Sequence, residues 1–240
     1  MSTRRVRAIL AKELREYRRN GFIVWTMAIV PLFFVLLPMI EIFVIPSGVS
    51  PTGSLLEAGP LTYMLGIPII VPTTVAAYAV VGERQQGTLE PVLTTPVRDR
   101  EFLLGKALAV ILPTLVISYA WYGVVLVCAG IFARPVVVSA VFRGGELLAQ
   151  LFFTPLLAGW SIWVGIAISA RSSDVRVAQQ LGSLASLPPL GATLLFAFDA
   201  VHATFALALG MAAVLLVLDG LGWRLMSAMF DRERLIIGAK

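Results

Sequence analysis

Six apolar runs, each close to the length needed to cross a bilayer, recur along a chain of 240 residues. This recurrence constrains the fold more than any other feature. A helix needs roughly 20 apolar residues to span the hydrocarbon core. The runs lie at 22–45, 61–81, 107–132, 147–170, 178–198 and 203–222. A lipid interior offers no water to backbone N–H and C=O groups, so only helices and closed barrels survive there, and unbroken runs of this length read as helices. Only 14% of the residues are charged and the mean hydropathy is +0.89, against about 25% charged in soluble domains. The chain is therefore read as an all-α integral membrane protein with six transmembrane helices. Pro31, Pro38, Pro68, Pro72, Pro188 and Pro189 fall inside runs. Prolines free carbonyls that neighbouring helices must satisfy, so the spans are expected to form a bundle with bent members.

The first 20 residues carry seven bases around Val6, Ile9, Leu10, Leu14 and Tyr17, which recur at helical spacing. That is the pattern of an amphipathic helix in the headgroup layer. A nucleic-acid arm would waste the apolar stripe, so no nucleic-acid partner is expected. The first apolar run is too long for the core of a signal peptide and follows this charged segment. With the N-terminus inside, seventeen of the nineteen lysines and arginines fall on the cytoplasmic side, and only Arg134 and Arg143 lie outside. Positive charge concentrates on the cytoplasmic face of membrane proteins, so both termini are expected there, in a multi-pass protein of the cell membrane. The outer segments leave no room for a soluble receptor domain. Asp199 and His202 mark a very short turn or a segment dipping back into the membrane. No soluble linker or internal repeat is evident, and residues 1–240 read as one membrane domain.

Between the second and third runs lies a polar island, 82–106, reading GERQQGTLEPVLTTPVRDREFLLGK, with four acids and four bases. Gly87 can end a helix, because glycine takes positive φ freely. Thr88 can cap the next helix, with Pro91 in its first turn, and Thr95-Pro96 can begin a third that runs into the apolar segment beyond. Leu89, Val92 and Leu93 share one side of the short middle helix. The expectation is a short amphipathic helix at the membrane surface, its charges turned to water or to a partner.

Motifs for bond-making chemistry are missing. Gly105-Lys106 does not complete a phosphate loop, because position 100 is Arg and Ala107 follows the lysine. His202 stands without a second histidine or cysteine, and Cys128 is alone in an apolar run, so no metal cluster and no internal disulfide is expected. G-x-S-x-G and H-E-x-x-H do not occur. Glu41, Asp199 and Asp219 are the ionisable groups within or beside the spans, and all three are read as lying near span ends. An ion-coupled carrier needs charges near the midplane, so that class, or a channel acting alone, is the alternative reading. Ser161, Gly165 and Ser169 form a ladder of small residues that lets helices approach closely. Trp121, Tyr122, Trp160 and Trp163 could line a route for a bulky apolar substrate, although aromatic packing explains them as well.

The segment 82–106 resembles the signature of type-2 ABC transporter permeases, an E-R-x-x-G-T-L-E segment after the second span followed by T-P-V and G-K. Glu83, Arg84, Gly87, Thr88, Leu89, Glu90, Thr95, Pro96, Val97, Glu101, Gly105 and Lys106 match it. The resemblance implies an exporter half that binds no cofactor itself. ATP and Mg would sit on a separate ABC-type ATPase, two copies of which would serve a pair of permease subunits, here a homodimer. The segment 83–106 would contain the cytoplasmic coupling helix. Glu83, Arg84, Gln85, Gln86, Gly87, Thr88, Leu89 and Glu90 would meet the ATPase, with Arg171, Ser172, Ser173 and Asp174 as a smaller contact. The substrate class implied is amphiphilic: a drug, lipid, antibiotic or peptide.

Overall fold

A computed structural model describes residues 2–44, 61–87, 98–197 and 204–229. All regular structure among them is helical. Helix α1, Thr3–Arg19, is amphipathic as expected, but its apolar stripe is covered by protein: Val6, Ile9 and Tyr17 are buried against the bundle. Asn20 is extended and ends α1, and its side-chain oxygen accepts the N–H of Phe22, capping α2, Gly21–Val44.

The second apolar run is not one straight helix. A 3₁₀ turn, Thr62–Gly66, leads into α3, Ile67–Tyr78, and a break at Ala79 and Val80 separates α3 from α4, Val81–Gln85. The third run belongs to a 34-residue helix, α5, Asp99–Phe132. Arg98 is extended, so α5 begins at Asp99 and not at Thr95. Glu101, three residues into α5, accepts the Arg98 N–H at 3.2 Å and caps the helix. A short α6, Pro135–Val141, leads to α7, Gly144–Arg171, then α8, Val175–Ala197, and α9, Phe205–Met229.

Five segments are long and apolar enough to cross a membrane: Gly21–Ile40, Thr62–Gln85, Asp99–Phe132, Gly144–Arg171 and Phe205–Ser227. The expected count of six is thus not reached among the described residues. Helix α8 coincides with the fifth run but is diluted by Gln179, Gln180, Ser183, Ser186 and Pro188-Pro189. The expected coupling helix over Thr88–Val97, the outer loop 46–60, the turn at Asp199 and the tail from Phe230 lie outside the described residues.

Helix α3 is the axis of the bundle, packed by α7, α8, α5 and α2. Small residues permit this. A Cβ on Gly165 of α7 would lie 2.6 Å from the Ala76 Cβ and 3.2 Å from the Thr73 carbonyl. Ser161 and Ser169 lie on the same buried face, so the ladder read from the sequence is the α3–α7 seam. Ser169 also repairs the break between α3 and α4. Its Oγ accepts the N–H groups of Val80 and Val81, both at 3.0 Å, and donates to the Ala77 carbonyl at 2.7 Å. On the far side of α3, Thr73 meets Ser186 of α8, Oγ to Oγ1 at 3.0 Å.

Candidate functional site

The polar island is anchored by charges that the fold turns inward. Glu83 of α4 is 5% exposed and Lys106 of α5 is fully buried. Lys106 Nζ lies 2.9 Å from Glu83 Oε2 and 3.0 Å from Glu13 Oε1 of α1. Lys12 of α1 closes the ring, bonding Glu83 Oε1 and approaching Glu13 and Glu16 at 3.3 Å each. Two acids and two bases therefore alternate at the junction of three helices. Burying unpaired charge is costly, and alternation is what lets four such groups share an apolar setting.

Electrostatics reflect the crowding. Burial pushes the Glu13 carboxyl up, but Lys106 and Lys12 outweigh it and hold Glu13 below its ordinary value of 4.5. Burial lowers Lys12, yet Glu13, Glu83 and Glu16 together raise it above 10.5. Tyr17, buried beside them, has its phenol raised by burial and then by Glu13 and Glu83. Oxygens of Glu13, Glu16 and Glu83 lie within 4.8 Å of one another, a spacing that could hold a metal ion. The Lys12 ammonium already bonds all three, so the cation at that point is a side chain.

A second clasp lies one and a half turns earlier on α5. Glu101 accepts the Ser2 backbone N–H at 2.6 Å and pairs with Arg5 at 3.4 Å. Between the clasps Ile9 sits on Gly105, where a Cβ would come within 2.6 Å of Ile9 Cγ2. Gly105 and Lys106 thus have separate tasks: one lets α1 approach, the other pairs with its acid. Lys12 and Glu13 are the members that reading the sequence missed. The signal was present, since Glu13 falls on the apolar stripe between Ile9 and Tyr17, where an acid has no place without a buried base.

Arg84 ties the island to the far side of the bundle. Its guanidinium donates to the Ser172 carbonyl and to the Ala170 carbonyl, both at 3.1 Å. These are carbonyls at the C-terminal end of α7, which lack helical partners and attract a cation. The fold therefore brings Arg84 to Ser172, while Glu83 turns to Lys12 and Lys106. Asp174 is exposed and caps α8 by accepting the Arg176 N–H at 2.6 Å; Ser173 is exposed, and Ser172 is buried. Gln85, Gln86 and Gly87 form the exposed tip, and Gly87 has φ of +68°, as its place at the helix end demands. Thr88, Leu89 and Glu90 lie outside the described residues.

The four aromatic residues do not share one passage. Tyr122 and Trp121 belong to a core with Met64 and Ile67, Trp160 packs with Leu157 and Leu215, and Trp163 stacks edge-on against Trp223 at 5.2 Å. Helix α9 continues to Met229, so Asp219 lies ten residues inside the end of its helix.

A family model described as ABC-2 type transporter matches residues 4–190, more than three quarters of the chain. No curated protein matches the chain.

Proposed function

The chain belongs to the ABC-2 type transporter family, and on that premise we propose that this permease subunit is the membrane half of an ATP-driven exporter of amphiphilic molecules. Membership in the family implies association with an ABC-type ATPase. The proposed complex has two ATPase copies, which bind ATP and Mg, and two copies of this chain. Six spans cross the cell membrane, α8 being the fifth, and both termini are cytoplasmic. Helix α1 borders the headgroup layer with Arg4, Arg7, Arg15, Arg18 and Arg19 exposed.

The observation that carries this reading is the clamping of both ends of the polar island. On one side Glu83 is locked to α1 and α5, and Arg84 to the end of α7. On the other side Glu101 locks the start of α5 to α1. A force applied to the exposed tip at Gln85–Gly87 therefore reaches three helices at once. The family match does not identify a nucleotide site in this chain, so the work of a transport cycle has to enter through such a contact.

The test is co-purification of the chain with its ATPase from gentle detergent, followed by ATP-dependent export from proteoliposomes. Flux without ATP or partner would favour a carrier or channel. Glu90→Lys should uncouple ATP hydrolysis from export while leaving insertion intact, and full export in that variant would count against the coupling role. Glu83→Lys is a poorer probe, because a third cation beside Lys12 and Lys106 would break the clamp itself.

A further inference from the structure

Helices α7 and α9 run parallel and cross closely where neither needs bulk. Leu157 meets Leu215, Gly159 meets Asp219, and Trp163 meets Gly222 and Trp223. Gly159 makes room for a carboxylate: a Cβ there would lie 2.5 Å from Asp219 Oδ2 and 3.0 Å from Oδ1. Asp219 lies about 21 Å along α9 from Phe205 and about 15 Å from Met229, well within the stretch long and apolar enough to span a membrane. Its Oδ1 is buried without a hydrogen-bond partner, and Asp219 forms no ion pair among the described residues. An acid within a span is expensive and marks function more often than packing.

One turn before this carboxylate on α9 lies the wall of a groove. It has a volume of about 620 Å³ and runs between α7, α8 and α9, with Leu157, Pro189, Leu207, Met211, Val214 and Leu215 in its wall. Leu207, Met211 and Leu215 succeed one another at four-residue spacing along the groove, and Asp219 follows Leu215 one turn later. The groove is thus apolar in its wall, and the Asp219 carboxyl lies one turn beyond Leu215, packed on Gly159. Trp160, whose Nε1 is buried without a partner among the described residues, packs with Leu157 and Leu215, and the Trp163–Trp223 pair lies one turn beyond the carboxylate. Aromatic faces beside a carboxylate favour a positive charge.

We infer that the α7–α9 crossing binds a cation carried on an apolar body, with Asp219 as counter-ion and the groove taking the apolar part. This rests on the export reading only for the step from ligand to substrate. The ligand is an ammonium or related cation, either the amine headgroup of a lipid or a free cationic amphiphile. An apolar groove for uncharged substrates would have no use for Asp219 or for the glycine that admits it.

The test uses the permease alone in nanodiscs, so that failure of ATP coupling and failure of this site are read separately. The probes are tetraphenylphosphonium and tetraphenylborate, which share a shape and differ in charge. The wild type should bind the cation in preference to the anion, and Asp219→Asn should weaken cation binding roughly tenfold or more while leaving the melting temperature in place. Leu207→Trp, which fills the groove away from the carboxylate, should weaken both probes. Cation affinity that falls more in the wild type than in Asp219→Asn when phosphatidylethanolamine replaces phosphatidylglycerol assigns the site to a lipid amine, and an equal fall in both, the effect of surface charge alone, assigns it to a free amphiphile. Unaltered cation binding in Asp219→Asn would overturn the proposal. So would a wild type that binds neither ion while Leu207→Cys cross-links to a second copy of the chain.

Discussion

Two regions of this bundle hold acids away from water, and they do so in opposite ways. At the junction of α1, α4 and α5, Glu13 and Glu83 alternate with Lys12 and Lys106. At the α7–α9 crossing Asp219 stands against a glycine, one turn before a tryptophan pair, with no base paired to it among the described residues. The first arrangement cancels its own field, so what remains is geometry: three helices held at fixed spacing. The second leaves a field uncancelled in an apolar wall. Stability cannot be the reason for a lone acid, because a neutral side chain would be cheaper there. The contrast separates a fastening from a binding group without reference to any relative.

The largest expected effect is at the fastening. Lys106→Met leaves Glu13 and Glu83 facing one another with only Lys12, and should cost about 3–5 kcal/mol. Unfolding in nanodiscs measures it, and a loss below about 1 kcal/mol would erase the contrast. Gly105→Val drives a branched side chain into Ile9 and should cost about 1–3 kcal/mol. Ile9→Ala should recover much of that loss, and failure to recover would place the strain elsewhere. Ser169→Ala removes the acceptor for two N–H groups and the donor to Ala77, a loss of about 1–3 kcal/mol, read by the same melt and by faster amide exchange at Val80 and Val81. Asp219→Asn should change stability by less than about 1 kcal/mol. A loss as large as that of Lys106→Met would mean that Asp219 is a fastening too.

The smallest effect is that of pH over the ordinary range. Glu13 is depressed below 4.5, so its contribution is present above 4.5 and is lost as the pH falls through its lower folded value. Lys12 is raised above 10.5, so its contribution is present below 10.5 and is lost as the pH rises through its higher folded value. Docking of α1 should therefore be level between those limits. A cysteine cross-link between α1 and α5 that weakens near neutral pH would contradict the ring of charges.

Much of the architecture could be read without coordinates. Hydropathy alone placed the long helices, with ends that moved by few residues in α2 and α7. Helix α5 reached back eight residues beyond its apolar run because Glu101 caps it and α1 shelters its first two turns. The span count was less secure, since Pro188-Pro189 and the glutamines of α8 sit inside a run that only its neighbours make tolerable. At the candidate site the positive φ of Gly87 was legible, because a residue type with one special property announces its use, whereas Gly105-Lys106 was marked only by the family motif. The inward turn of Glu83 was not. A charged residue in a polar stretch looks the same whether it faces water or two lysines brought to it from other helices, one of them 71 residues away in sequence.

By itself the sequence determined a helical membrane protein, its amphipathic first helix and its family, because apolar length, helical period and a local motif are properties of neighbouring residues. Which charges are paired and which are left alone was decided only by the tertiary structure. Lys12, Glu13, Glu83 and Lys106 meet across three helices, and Asp219 meets Gly159 across two. The energy of a buried charge depends on what lies within a few ångströms of it, and that distance exists only once the chain is folded.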